Sequence, residues 1–130
     1  MQSIEKELDK LFSQYIKNRG AVNGLNTCII CGKQYGIRYN DYNRIECGHF
    51  IPRKYKLTRW DIRNAAPQCF SCNRNMGTQT VRKLFEYHII EKYGREVLIY
   101  LKQSIKQLFI PTQEFYEHKL KELNAKLREL

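Results

Sequence analysis

The sequence predicts an α+β fold: a small metal-stapled core of strands and one short helix, flanked by longer α-helices. Three observations carry this. Two Cys-x-x-Cys pairs, Cys28/Cys31 and Cys69/Cys72, are joined by 37 intervening residues. The segment between them is rich in Tyr and Ile, broken by turn residues. On both sides the apolar residues recur at helical spacing.

Four cysteines in two knuckles supply the tetrahedral thiolate set that zinc prefers, and each two-residue gap lets the chain turn so that both sulfurs face one ion. The loop between them is longer than a simple staple needs, and it carries Glu46-Cys47-Gly48-His49-Phe50 and Asn64. At 130 residues the chain suits one compact domain. Three segments are expected: residues 1–26 as a helix and connector, 27–78 as the zinc-bound core, and 79–130 as a helical region.

Ile4, Leu8, Leu11, Phe12, Tyr15 and Ile16 line one side of a helix over residues 3–19, with Ser3 as N-cap and Gly20 as stop. Its charged face mixes signs, so packing rather than DNA contact is expected of it. Residues 34–50 read as a hairpin turning at Asn40-Asp41-Tyr42-Asn43, with His49 ending its second strand. Pro52 turns the next stretch into a basic loop, and Pro67 brings the chain extended into the second knuckle. A short helix from Ser71 or Cys72 to about Gly77 follows.

Thr80 is placed to cap a helix carrying Val81, Leu84, Phe85, His88, Ile89 and Tyr93, stopped by Gly94. Another uses Val97, Leu98, Leu101, Ile105 and Leu108, and Thr112 caps the last. There Tyr116, Leu120, Leu123, Leu127 and Leu130 form a heptad seam of barely two repeats. It fits packing on the protein's own helices or a homodimer through the C-terminal helix.

The formal charge is +10. Between Cys28 and Arg95, thirteen Lys and Arg oppose five Asp and Glu, so the excess surrounds the cysteines and points to a polyanion such as DNA. No transmembrane run is present. The start turns charged at once and lacks a secretory pattern, so an intracellular, cytoplasmic protein with reduced cysteines is expected, without membrane partners.

In order along the chain stand Cys28-x-x-Cys31-Gly32, Gly48-His49 with an aromatic after it, Arg59-Trp60, Arg63-Asn64 and Gln68-Cys69-x-x-Cys72-Asn73, followed by Tyr93-Gly94-x-Glu96. This series resembles the HNH superfamily of ββα-metal nucleases, and more closely the NinG (Rap) recombination nucleases of lambdoid phages, over residues 1 to 130. The resemblance implies a ββα-metal (HNH) core and metal-dependent cleavage of DNA, in particular branched recombination intermediates such as D-loops and Holliday junctions, in the bacterial host cell.

It also implies roles. His49 is the expected general base, since a neutral imidazole can take a proton from water once a neighbour fixes its tautomer. Asn64 is that neighbour by analogy, and a backbone carbonyl could do the same. Asn73, held behind a zinc cysteine, is an expected ligand of a catalytic Mg²⁺ or Mn²⁺ ion. Many HNH enzymes carry an acid or a histidine just before the base; here Gly48 stands there, and Glu46 is the substitute, as a ligand or as a surface carboxylate. A third histidine of the pattern is missing, with Asn75 near its place. Arg53, Lys54, Lys56, Arg59, Arg63 and Arg74 are expected to grip phosphates, and Arg59 beside Trp60 can equally support the loop.

Cys47 reads as a small buried residue in preference to a nucleophile for a Cys-His hydrolase, and His88 and His118 as structural or exposed. A non-catalytic zinc module that binds nucleic acid, and an adaptor working through its last helix, are the other functions that the sequence allows.

Overall fold

The knuckles decide which strands can pair. In the computed structural model, which describes residues 3–41 and 43–130, strand β1 (Leu25–Thr27) runs into the first Cys-x-x-Cys turn and returns as β2 (Gln34–Gly36), antiparallel, with Thr27 opposite Gln34. Gly32, at φ +75°, closes this turn, its amide donating to the Cys28 carbonyl at 3.0 Å. The knuckle is therefore itself a hairpin turn. This corrects the expected 34–50 hairpin: β2 takes β1 as its partner, and β3 (Ile45–His49) pairs antiparallel with β4 (Ala65–Cys69) in a second two-stranded sheet. Of the expected turn, Tyr42 lies outside the described residues.

β3 does end at His49, opposite Ala65. The 51–64 excursion leaves and re-enters this sheet, carrying the short helix α2 (Lys56–Arg59). β4 is buried along its whole length, and Pro67, without a donor of its own, offers its carbonyl to the Ile29 amide at 3.0 Å, tying the two knuckles together. Helix α3 (Phe70–Arg74) follows at once. It starts earlier than expected because Cys69 acts as its N-cap, the sulfur accepting from the Cys72 amide at 3.4 Å.

Helix α1 (Ile4–Asn18) has the predicted cap, Ser3 accepting from the Lys6 amide at 3.2 Å. It buries Leu8, Phe12, Tyr15 and Ile16 in one core with Trp60, Ala65 and Leu123. Helix α4 (Gln79–Tyr93) is capped by Thr78 rather than Thr80, and Gly94, at φ +96°, joins it to α5 (Arg95–Ser104). These two helices close a second core around Phe50, Ile51, Ala66, Phe85, Ile89 and Leu101. Ile105 and Leu108 fall beyond the end of α5 and are exposed; there the helix gives way to turns in which the Lys106 and Gln107 amides donate to the Gln103 and Ser104 carbonyls at 3.1 and 3.2 Å. His88 packs edge-on against Phe85.

The last helix, α6 (Gln113–Arg128), has its cap at Thr112 and lies along α1. Leu123 is fully buried there, with Tyr116, Leu120 and Leu127 packed beside it. Four of the five seam residues thus pack within the chain, while Leu130 is exposed. Chain ends and centre share one core, so the 1–26 and 79–130 segments are built into the 27–78 core.

Gly48 shows how tightly the β3–β4 sheet is packed. A Cβ there would lie 1.6 Å from Gln68 Oε1, and Gln68 is fully buried. An acid or histidine just before His49 would have to displace the Gln68 side chain. Gly48→Ala is expected to destabilise the fold by about 1–3 kcal/mol or more, as overpacking does. Chemical denaturation measures this, and an unchanged midpoint would contradict it.

Candidate functional site

Cys28 and Cys31 come from the β1–β2 turn, Cys69 from the end of β4 and Cys72 from α3, and their four sulfurs lie within 4.8 Å of one another. Zinc–sulfur bonds of ~2.3 Å in a tetrahedron place sulfurs ~3.8 Å apart. The Cys31–Cys69 separation of 4.0 Å is close to that. The four cysteines are close enough to bind a metal ion, and the donor set is of the kind that holds structural zinc. Burial opposes ionisation of the Cys31 thiol, but the Lys33 amide and the Tyr35 hydroxyl hold it down at about 7. Cys47 stands outside the cluster, and burial pushes its thiol up to about 12, so at neutral pH it is a thiol rather than a thiolate.

Beside the cluster opens a cleft of about 740 Å³. β3 supplies Glu46, Cys47 and His49, α3 supplies Asn73 and Arg74, and α1 supplies Asp9, Lys10, Phe12 and Lys17. His49 and Asn73, expected to share a site, line the same cleft. The His49 ring stacks on Phe12, centroids 5.4 Å apart, and its Nε2 lies 2.9 Å from the Arg59 carbonyl. A carbonyl only accepts, so Nε2 carries the proton and Nδ1 keeps the lone pair. Burial lowers the pKa to about 4, against the opposing pull of the Arg59 carbonyl, so the ring is neutral at pH 7.

The partner of His49 is thus the Arg59 backbone, which corrects the role expected of Asn64. Asn64 is fully buried; its Oδ1 accepts from the Ile51 amide at 2.8 Å and its Nδ2 donates to the Ile51 and Thr58 carbonyls at 3.1 Å. It pins both ends of the 51–58 loop, and through that loop the Arg59 carbonyl. On the other wall Asn73 Nδ2 donates to Glu46 Oε1 at 2.8 Å, and Arg74 reaches the same oxygen at 3.2 Å. Asn73 Oδ1 and Glu46 Oε2 make no protein hydrogen bond among the described residues, and oxygen atoms of this type suit Mg²⁺ or Mn²⁺. Asn75 instead turns back to the Ser71 carbonyl at 2.8 Å.

The expected phosphate contacts divide. Arg59 is bidentate to Asp9, which also takes Trp60 Nε1 at 2.9 Å and Arg53 at 2.6 Å. With its guanidinium 5.0 Å from the Trp60 ring centroid, Arg59 is a brace for the loop. Arg63 is bidentate to Asp61 and lies over Tyr100, and Lys56 pairs with Glu5 at 2.8 Å; none of these three lines the cleft. Lys54 has no carboxylate partner among the described residues but faces another groove, beside 104–111. Arg53 and Arg74 do line the cleft, each shared with a carboxylate.

The sequence reading missed Lys10, Lys17 and Arg44, which line the cleft with no acidic partner among the described residues. The signal was there for α1: Lys10 and Lys17 are seven residues apart, two helical turns, on one side of a helix whose polar face was assigned to packing.

Fold and site together define a small α+β protein with four cysteines close enough to bind a metal ion, set against a basic cleft that holds a neutral histidine. No helix is long and apolar enough to cross a membrane. The chain belongs to the Bacteriophage Lambda NinG protein family, whose model matches residues 1–130. No curated protein and no solved structure matches it.

Proposed function

We propose that this protein is a zinc-stapled, HNH-type endonuclease that hydrolyses phosphodiester bonds of DNA with the help of Mg²⁺ or Mn²⁺, acting on branched recombination intermediates of a phage in its bacterial host. The observation that carries the reading is the convergence of His49, Glu46 and Asn73 on one basic cleft, with Asn73 fixed by the cysteine next to it. His49 is the general base: Nε2–H is committed to the Arg59 carbonyl, so Nδ1 accepts the proton of the attacking water. Glu46 and Asn73 would hold the divalent ion, which supplies charge relief on the phosphate and on the departing 3′ oxygen. Lys10, Lys17 and Arg44 draw the DNA backbone into the cleft, giving affinity that falls with salt and little sequence preference.

The test is a cleavage assay of the zinc-loaded chain on linear duplex, single strand, D-loop and four-way junction, with and without Mg²⁺ or Mn²⁺. Cuts are expected in the branched DNAs, only with a divalent ion, and Glu46→Gln is expected to raise the ion concentration needed for half-maximal rate. Intact DNA under every condition, with binding retained, would leave a non-catalytic nucleic-acid-binding module.

A further inference from the structure

A second hollow, of about 500 Å³, adjoins the cleft and shares two residues with it, Arg44 and Glu46. Tyr35, Asn43, Cys69, Phe70 and Ser71 complete its rim. That size lies in the ~300–1,000 Å³ range that takes small-molecule-sized groups. Phe70 is 62% exposed although it is a large apolar side chain at the start of α3, next to a metal-binding cysteine. The Arg74 guanidinium lies over its ring, 4.3 Å from the centroid. Arg74 borders the cleft and not the hollow, whereas Phe70 borders the hollow and not the cleft. The stacked pair is therefore a partition, with a cation on the cleft side and an aromatic ring on the other. Arg44 stands at the junction of the two spaces, braced over the exposed Tyr39 ring and free of carboxylate partners among the described residues.

We propose that this second hollow receives the base of one unpaired nucleotide adjacent to the scissile phosphate, stacked on Phe70, with Arg44 on the backbone between them. The inference rests on the DNA-binding part of the reading above and gives it a substrate feature. A strand lying in the cleft can continue past Arg44 into the hollow, since Arg44 and Glu46 border both. A base can offer its face to Phe70 only once its neighbour in the stack and its pairing partner are gone, so the subsite selects DNA with an unpaired residue beside the cut. Base–aromatic stacking of this kind contributes on the order of a tenfold gain in affinity or more.

The experiment uses the full zinc-loaded chain without added Mg²⁺ or Mn²⁺, so that binding is read without cleavage. The probes are a fully paired duplex and a forked duplex of equal length with 2-aminopurine as its first unpaired base. Expected are quenching of the 2-aminopurine and binding of the fork about tenfold tighter than the duplex. Phe70→Leu is expected to lose that preference while binding the paired duplex as the parent does, and Phe70→Trp to keep it. A Phe70→Leu protein of parental zinc content that still prefers the fork overturns the proposal. Should that variant lose zinc, the parent and Phe70→Trp decide: unquenched probe and equal affinity for both DNAs overturn it equally. The two readings fail separately. Fork preference without cleavage under any condition removes the enzyme and leaves the subsite; cleavage without fork preference removes the subsite alone.

Discussion

His49→Ala is expected to lower DNA cleavage by about 10²–10⁴-fold, the contribution typical of one positioned general base, while leaving DNA affinity and zinc content unchanged. The separation follows from where the side chain sits. His49 is held by Phe12 and by the Arg59 carbonyl, and its neutral ring adds nothing to the charge that attracts phosphate. The pH profile carries a second signature. An ordinary histidine, with a pKa of about 6.5, would lose half its base form near that pH. Burial takes His49 down to about 4, below its unfolded value, so the base form persists through pH 6 and is lost only as pH falls through about 4. Cleavage by the parent is therefore expected to show no break near 6.5. A break there would place the working base elsewhere, and equal activity in parent and His49→Ala would remove this residue from the mechanism.

Removing the metal is expected to unfold the protein. The cluster joins the β1–β2 turn, the end of β4 and α3, three segments whose strands are only three or five residues long and pair in separate two-stranded sheets. Isolated two-stranded pairings of that length are marginal in water. Structural zinc contributes roughly 10–16 kcal/mol, as much as the whole stability of about 5–15 kcal/mol of a typical domain. Cys28→Ser, or exposure of the parent to a strong chelator, should therefore abolish the cooperative thermal transition, and metal analysis should find about one zinc per chain before treatment. Asn73 and Glu46 would lose their common position at the same time, so cleavage would fail even where α1 and α6 stay paired. A zinc-free protein melting at the parent's temperature would contradict this.

Much of the local structure was legible in the chain. The caps at Ser3 and Thr112, the stop at Gly94, the end of β3 at His49 and each of the two Cys-x-x-Cys knuckles follow from short-range rules, because each depends on residues within a few positions of one another. The strand pairing was not, because the same Tyr- and Ile-rich pattern allows β3 to pair with β2 or with β4. The choice falls to the two cysteine knuckles, which close β1 onto β2 and bring β4 in from across the excursion.

The division is sharpest at the site. Residue types alone specified a thiolate set for one soft ion, a histidine beside a glycine, and an excess of positive charge, all of them properties of single side chains or of neighbours in sequence. Only the tertiary structure assigned the partners: Arg59's carbonyl rather than Asn64 on His49, Asp9 as the brace that withdraws Arg59, and Lys10 and Lys17 of α1 as cleft residues. The reason is physical. An ion pair or a hydrogen bond is set by distances of about 3 Å between groups that are tens of residues apart, and those distances exist only once the two cores have closed around Trp60 and Phe50.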